Sequence, residues 1–425
     1  MLPFLGMAAS LIILPILART AGTDGWVALA IGQSAGGLCA LIVSYGWNVA
    51  GPARIARLTD CERREAFSRS LLVRGSVFVA VMPVLIAVVT NVSPSETTLL
   101  ALTMAIAAAL GGLSPNWYAI GVGRASYVAM YDLVPRLAAT AVAFPIIAFT
   151  RNPVWYPALL SLAIALSYIL FSLVVVRPTS ISGGWRDGLI EGLRDDLMAA
   201  CTVVTGGAYS TGTLLIVGAA ASVKESASAT SADRVFRVCL QAVAALSNAL
   251  VAWVIKVPAL RNRRMIISLG LHSLVGVFGL AFLSIAGPAV TTLLFGETLS
   301  ASRPVTTLYG IAFLAISVNT SLGMHILVPT GHIRVVLGST LAGAVIGVPL
   351  IFWGALSLGA FGAAIGIAFS EVAVTAIQAV AAARAFGRYR IRRGPVRKWV
   401  QSGGSSDDGT SSRARVWHRE PRRSD

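Results

Sequence analysis

Apolar runs of roughly twenty residues, parted by short polar stretches, repeat along the chain, and a run of about that length crosses ~30 Å of hydrocarbon as a helix. They occupy residues 2–18, 26–49, 71–90, 97–119, 134–150, 156–176, 198–220, 233–255, 265–286, 304–328, 334–357 and 359–383. The pattern predicts an all-α integral membrane protein with about twelve transmembrane helices. A large soluble helical protein could not hold so many apolar runs with so little polar face.

The basic residues orient these spans. Loops after even-numbered spans hold Arg54, Arg57, Arg63, Arg64 and Arg69, then Arg124, then Arg177, Arg186 and Arg194, then Lys256, Arg261, Arg263 and Arg264. Loops after odd-numbered spans hold only Arg19, Arg151, Lys224 and Arg303. The positive-inside bias therefore predicts cytoplasmic N- and C-termini, and an even number of spans, which puts both termini on one side, agrees. No cleavable leader is read, because LPFLGMAASLIILPILA is apolar from the first residue, lacks a basic n-region and is followed by more spans.

The longest interior cytoplasmic stretch, RPTSISGGWRDGLIEGLRDD at 177–196, lies between the sixth and seventh spans. Its Pro, Ser and Gly, followed by Trp185, Leu189, Ile190 and Leu193, predict a linker ending in an interfacial helix. The expected organisation is two six-helix lobes, 1–177 and 198–384, joined by the linker 178–197 and followed by a tail, 385–425. A short internal echo agrees with two halves: IGVGRASYV (120–128) and VPTGHIRVV (328–336) stand 208 residues apart, each with a helix breaker, a glycine and basic residues.

Composition sharpens this picture in two places. Only 12% of residues are charged, against roughly 25% in soluble domains, and mean hydropathy is +0.77. Of the net charge of +16, half falls from Arg384 onward, where twelve Lys/Arg face four Asp/Glu. That tail reads as disordered and cytoplasmic, drawn to anionic lipid head groups. It has no folded recognition module for nucleic acid. Cys39, Cys61, Cys201 and Cys239 are scattered, without a CxxC or a Cys/His cluster, so neither a disulfide framework nor a metal or cofactor is expected. Arg used over Lys, with abundant Ala, points to a high-GC bacterial genome.

Four stretches carry a family resemblance. They are LPILARTAGTDGWVALAIGQSAGGLCALIVSYGWNVAGPARIA (14–56), the Pro-x-Trp and following glycine of SPNWYAIGVGR (114–124), SADRVFRV (231–238) and LGAFGAAIGIAFSE (358–371). In their order and spacing, over residues 1–385, the chain resembles the polysaccharide-type (O-antigen or lipid-linked oligosaccharide) flippase family of the MATE/MOP exporter superfamily. The resemblance implies a MATE-like fold in a bacterial inner membrane, with a central cavity between two lobes working by alternating access. It also implies a substrate, polyprenyl-pyrophosphate-linked oligosaccharide, moved to the outer leaflet for cell-surface polysaccharide, with polysaccharide-assembly proteins as possible partners. The basic tail lies outside it.

A lipid pyrophosphate needs fixed cations at membrane depth, and arginine matches phosphate oxygens with its planar fork. An arginine facing lipid near the bilayer centre costs upwards of about 2.5 kcal/mol, so those at depth should face a cavity. The candidates are Arg19, Arg54, Arg74, Arg136, Arg234 and Arg237. Arg54 and Arg74 read equally as interfacial anchors, and Arg237 equally as a local partner of Asp233. Glu371, near the middle of the last span, is the candidate for ion coupling, because a carboxyl at that depth is costly ionised and tolerable protonated. A structural hydrogen bond to a neighbouring helix is the other reading of Glu371. His272 and His325 read as lone, hydrogen-bonded packing groups, with a proton relay as the second reading.

SPNWYAIGVGR interrupts the fourth apolar run with groups that break helices. Pro115 removes a backbone hydrogen bond, and irregular backbone survives at depth only where protein or a water-filled cavity covers it. Asn116, Trp117 and Tyr118 are expected to line a sugar path at the inner mouth, with Trp117 equally readable as part of an aromatic belt. Three other function classes compete with the flippase. A small-molecule or cation antiporter wants acidic residues inside the first lobe, but Asp24, Glu96, Asp60 and Asp132 fall in loops. A membrane glycosyltransferase or polymerase wants a large external catalytic loop, and the external loops are short, so no enzyme is expected. A non-transporting scaffold with a recruiting tail stays open.

Overall fold

A chain with no water around its middle must close its backbone hydrogen bonds within each segment, and helices do this. The computed structural model describes residues 2–179, 184–256 and 260–392, and these are helical with short connections and contain no strand. The helices are α1 (Leu2–Ser44), α2 (Trp47–Ile55), α3 (Asp60–Val92), α4 (Thr98–Ala109), α5 (Asn116–Gly121), α6 (Ala125–Val128) and α7 (Val134–Thr150). They continue as α8 (Trp155–Leu170), α9 (Trp185–Ala220), α10 (Val223–Ile255), α11 (Arg261–Ile285), α12 (Gly287–Phe295), α13 (Arg303–Thr320) and α14 (Ile333–Arg392). Residues 1–385 form one compact unit.

Nine helices among the described residues are long and apolar enough to cross a membrane, and the bent pair Trp185–Thr205 and Ser210–Ala220 makes ten. Two of these helices contain a left-handed glycine, Gly22 in α1 (φ 66°) and Gly359 in α14 (φ 61°). Only glycine adopts that backbone without steric cost. At Gly359 the chain doubles back. Gln378 Nε2 donates to Ser339 Oγ at 3.0 Å, although 39 residues of straight helix would part them by about 58 Å. With a boundary at each of these two glycines, ten becomes twelve helical rods, the expected number.

Lipid offers little hydrophobic drive for helices to associate, so close backbone approach between small residues does that work. A Cβ on Gly32 or Gly36 of α1 would stand 2.2 or 2.1 Å from the carbonyl oxygens of Ala101 and Ala105 on α4. The doubled-back α14 is sealed in the same way by Gly354 and Gly362. Its second arm is capped from another helix: Glu225 Oε2 accepts the Ala360 N–H at 3.0 Å, satisfying a free donor at a helix start.

Two expected boundaries change. The linker's amphipathic stretch is helical from Trp185 and continues without interruption into α9, whose arms Trp185–Thr205 and Ser210–Ala220 meet at a 58° bend. No breaker stands between Arg194 and Cys201 to stop it. The last helix continues to Arg392, eight residues into the segment read as tail, up to the Gly394-Pro395 breaker. Residues 180–183 of the linker and the basic tail from 393 lie outside the described residues.

The glycine seam can be tested directly. A Cβ on Gly362 would come within 2.1 Å of Gly354 O, whereas one on Gly338 meets nothing within 4 Å. Gly362→Ala is expected to cost about 1–3 kcal/mol by overpacking, measured as a lower thermal midpoint in detergent. Gly338→Ala should leave that midpoint unchanged or raise it, since alanine is the better helix former.

Candidate functional site

The interrupted fourth span builds the first half of the site. After α4 the chain tightens into a 3₁₀ turn, Leu110–Leu113, and breaks at Ser114-Pro115 before α5 resumes. The carbonyls freed there are met by Arg74, fully buried on α3, which donates from Nη1 to Ser114 O at 2.9 Å and Gly112 O at 3.2 Å. Its guanidinium also lies 5.5 Å from the centre of the Trp117 ring. Arg74 thus holds the break and lines neither of the two central cavities.

Trp117 is 1% exposed and packs among Trp47, Phe67, Tyr118 and Phe171, with ring centroids 4.7 Å from Trp47 and 5.9 Å from Phe67. Tyr118 lies edge-on to Phe67 and Phe171. Their faces are therefore occupied by neighbours, and the expectation that they line a sugar path is corrected: they are an aromatic core. Asn116 is also committed, its Nδ2 donating to Asp132 Oδ2 at 3.0 Å. The other carboxylate oxygen of Asp132 accepts Arg136 Nε at 3.1 Å and the Tyr168 hydroxyl at 2.9 Å. Asn116 fixes the partner of a cavity arginine rather than lining the cavity.

Arg136, Arg234 and Arg237 come together. Two adjoining cavities, ≈ 200 and ≈ 180 Å³, share Gln33, Ala108 and Arg234; Asp233 and Arg237 line the first, Arg136 and Trp26 the second. Arg237 Nε donates to the buried Asp233 at 2.6 Å, and its Nη2 to Ser210 O at 2.9 Å. Arg136 is held by Asp132. Arg234 differs from both. Among the described residues it has no carboxylate within ion-pairing distance, and its Nε is buried without a partner. Its Nη1 donates to the neutral Gln33 side chain, and its guanidinium lies 5.9 Å from the Trp26 ring centre. Three arginines against two aspartates leave one positive charge uncompensated, and it sits on Arg234.

Residues from distant parts of the chain cover the cavity at the Gly22 end. Trp26 Nε1 donates to Ser231 Oγ at 3.1 Å and its ring packs 4.9 Å from Phe295. Leu299 and Tyr309 belong to the same apolar cluster. Toward the other end α1 follows α9 closely, Gly37 against Thr211 and Gly46 against Ala199. There Arg54 pairs with Asp196 at 3.0 Å and packs over Trp47, and so anchors α2 to α9 far from the central cations. Arg19 is exposed near the Gly22 turn and lines neither cavity. Glu371 also lies away from both; its Oε2 accepts Asn319 Nδ2 at 3.3 Å across the α13–α14 contact.

Missing from the sequence reading were Gln33, Trp26 and Asp132 as partners of the arginines, whereas the pairing of Asp233 with Arg237 was one of its two readings. The i,i+4 spacings Asp132/Arg136 and Asp233/Arg237 were the available signal. Gln33 carried none.

Solved structures share this architecture. A multidrug-resistance MATE transporter of the MOP superfamily, inward-facing, matches with TM-score 0.61 at 17% identity over 90% of this chain and 94% of that one. Lipid II flippase MurJ, in an inward closed conformation, matches with TM-score 0.70 at 11% identity over 92% and 89%. The eukaryotic MATE transporter AtDTX14 matches with TM-score 0.52 at 12% identity over 91% and 99%. No family model matches the sequence, and no curated protein matches it. At these identities the likeness is one of fold: the chain is a multi-pass membrane protein with the MATE/MurJ-like transporter fold.

Replacing Arg74 tests the account of the helix break. Arg74→Met strands the Gly112 and Ser114 carbonyls, and a buried group left unpaired costs about 1–3 kcal/mol. The thermal midpoint should fall well below that of Arg57→Met, which removes an exposed arginine from the same end.

Proposed function

We propose that the protein is a flippase that carries polyprenyl-pyrophosphate-linked oligosaccharide from the cytoplasmic to the outer leaflet of a bacterial inner membrane. It would serve cell-surface polysaccharide synthesis by alternating access between two lobes, with both termini cytoplasmic. The observation that carries this reading is the uncompensated charge on Arg234 inside a membrane-depth cavity. A fixed cation with a free N–H and only a neutral amide partner suits a phosphate oxygen. Arg136 and Arg237, already balanced by carboxylates, supply further donors around it. The fold is shared with a lipid II flippase, which also supports a lipid-linked head group. The polyprenyl chain would stay in lipid while the head group crosses.

Glu371 fits ion coupling from outside the cavity, since one amide is its hydrogen-bond donor and an ionised carboxylate there wants more. The basic tail would meet anionic lipids on the cytoplasmic face, and polysaccharide-assembly proteins would receive the product. The fold serves equally for antiport of small cationic molecules, and the experiment separates the two.

Purified protein in liposomes carrying a fluorescent polyprenyl-pyrophosphate oligosaccharide should transfer it between leaflets. Arg234→Gln is expected to lower that rate at least about tenfold, since a charge-assisted contact is worth roughly 1.5–3 kcal/mol. Its thermal midpoint should hardly move, whereas Arg237→Gln should lower the midpoint by leaving Asp233 buried and unpaired. Full transfer by Arg234→Gln sinks the assignment, and export of a cationic dye in place of the lipid favours the antiporter. Glu371→Gln should abolish the dependence of transfer on a pH gradient; an unchanged dependence removes Glu371 from coupling.

A further inference from the structure

The pentapeptide Ser-Leu-Gly-Leu-His at 268–272 in α11 returns as Ser-Leu-Gly-Met-His at 321–325 after α13. The two copies meet in the interior. Ser268 Oγ and Ser321 Oγ are 3.1 Å apart, and the rings of His272 and His325 lie 5.2 Å apart, all four residues fully buried. They are thus not lone packing groups. We propose that this histidine pair is a proton-binding site in the second half of the chain, with His272 Nε2 as the atom that receives the proton. The proposal stands independently of the transported substrate.

Hydrogen-bond partners fix both tautomers. His272 Nδ1 is 2.9 Å from the Ser268 carbonyl, which can only accept, so Nδ1 carries the hydrogen. In a neutral imidazole the other nitrogen then bears a lone pair, and His272 Nε2 is buried with no partner among the described residues. His325 is the opposite case. Its Nε2 faces the Ser247 carbonyl at 3.2 Å and so carries the hydrogen, while Nδ1 accepts the Ser268 hydroxyl at 2.7 Å. Ser268 in turn accepts the Ser321 hydroxyl. The chain Ser321–Ser268–His325–Ser247 is complete, and the one basic lone pair left over is on His272.

Among the described residues no charged group is placed to neutralise a proton there. On α11, Arg264 donates to the Trp253 carbonyl. Arg237 on α10 and Lys256 just after it lie ten and nine residues from Ser247, α12 holds no charged side chain, and α13 offers only Arg303, at its start. Glu371 of α14 is bonded to Asn319. Two charged imidazoles so close would repel strongly in an apolar setting, so the pair takes a single proton. An imidazolium without counter-charge or water is costly in the interior. The closed arrangement described here is therefore the neutral one, and proton uptake goes with an arrangement in which water reaches the α11–α13 contact. Acidification favours that second arrangement through its differential affinity for the proton. An irregular element adjoins the site: His325 lies in a π-helical turn, Ser321–Leu327, followed by the left-handed Gly331. Such turns are frequent at functional positions.

The test uses the full-length protein in lipid nanodiscs with ¹⁵N-labelled histidine, assigned through single His→Gln variants, between about pH 8 and about pH 5, where an imidazole changes charge. The expected result is that His272 Nε2 passes from a bare to a protonated nitrogen while His325 keeps its neutral form. In parallel, with Cys39, Cys61, Cys201 and Cys239 replaced by alanine, spin labels at Asp24→Cys and Glu297→Cys report separation at the Gly22 end. Their distance should shift with the same midpoint, and the shift should be lost in His272→Gln. A His272 that stays neutral throughout overturns the proposal, as does a distance shift that survives in His272→Gln. If His272→Gln does not fold, the wild-type nitrogen titration alone decides.

Discussion

A charge in hydrocarbon has to be met by an opposite charge, by dipoles or by water, and the arrangement of arginines in this protein follows from that constraint. Arg74 is met by dipoles, the carbonyls of Gly112 and Ser114, and in meeting them it holds a broken helix in place. Arg136 and Arg237 are met by carboxylates one helical turn away, Asp132 and Asp233. Arg234 has only an amide and an aromatic face. Arg74 also keeps Nε and Nη2 buried without partners among the described residues, but it lines neither cavity; of the three arginines that do, Arg234 is the one without a carboxylate partner.

The same lack of water accounts for how the helices meet. Without a hydrophobic drive between them, helices pack where small residues let backbones touch, as Gly32 and Gly36 do on α4 and as Gly354 and Gly362 do within α14. These seams join helices near in sequence order into stiff groups. The contacts that cover the cavity at the Gly22 end are of another kind, a single indole hydrogen bond from Trp26 to Ser231 and the packing of Trp26 on Phe295. Contacts of that kind can part without unfolding a helix, which alternating access requires.

Much of the fold was legible because a membrane span announces itself by length and apolarity, and the twelve runs reappear as twelve rods. The turns inside α1 and α14 were legible too, since Gly22 lies in the gap between the runs ending at 18 and starting at 26, and Gly359 where the run ending at 357 gives way to the next. The site was legible by residue type and not by partner. Arginine at depth singled out Arg136, Arg234 and Arg237, and those three gather at the cavity. Arg54, Arg19 and the aromatic pair Trp117/Tyr118 went elsewhere because a linear reading cannot say which face of a helix looks inward. The histidines show the same limit. The doubled Ser-Leu-Gly-x-His was present in the sequence, but only antiparallel packing of two spans brings its copies into hydrogen-bonding distance.

What the cavity can bind is decided by what a ligand would have to displace. A cation seeking a carboxylate meets Asp233, whose Oδ2 is 2.6 Å from Arg237 Nε, and Asp132, which already accepts from Asn116, Arg136 and Tyr168. It would have to break a charge-assisted bond and leave an arginine unpaired in its place, at a cost that rises as water is excluded. An anion has only to replace the Gln33 amide on Arg234, exchanging a neutral acceptor for a charged one, about twice as strong. Because Arg234 lies on α10 while Gln33 and Trp26 lie on α1, that exchange would also remove a contact joining the two helices. An anion bound at Arg234 would therefore act on a contact between α10 and α1.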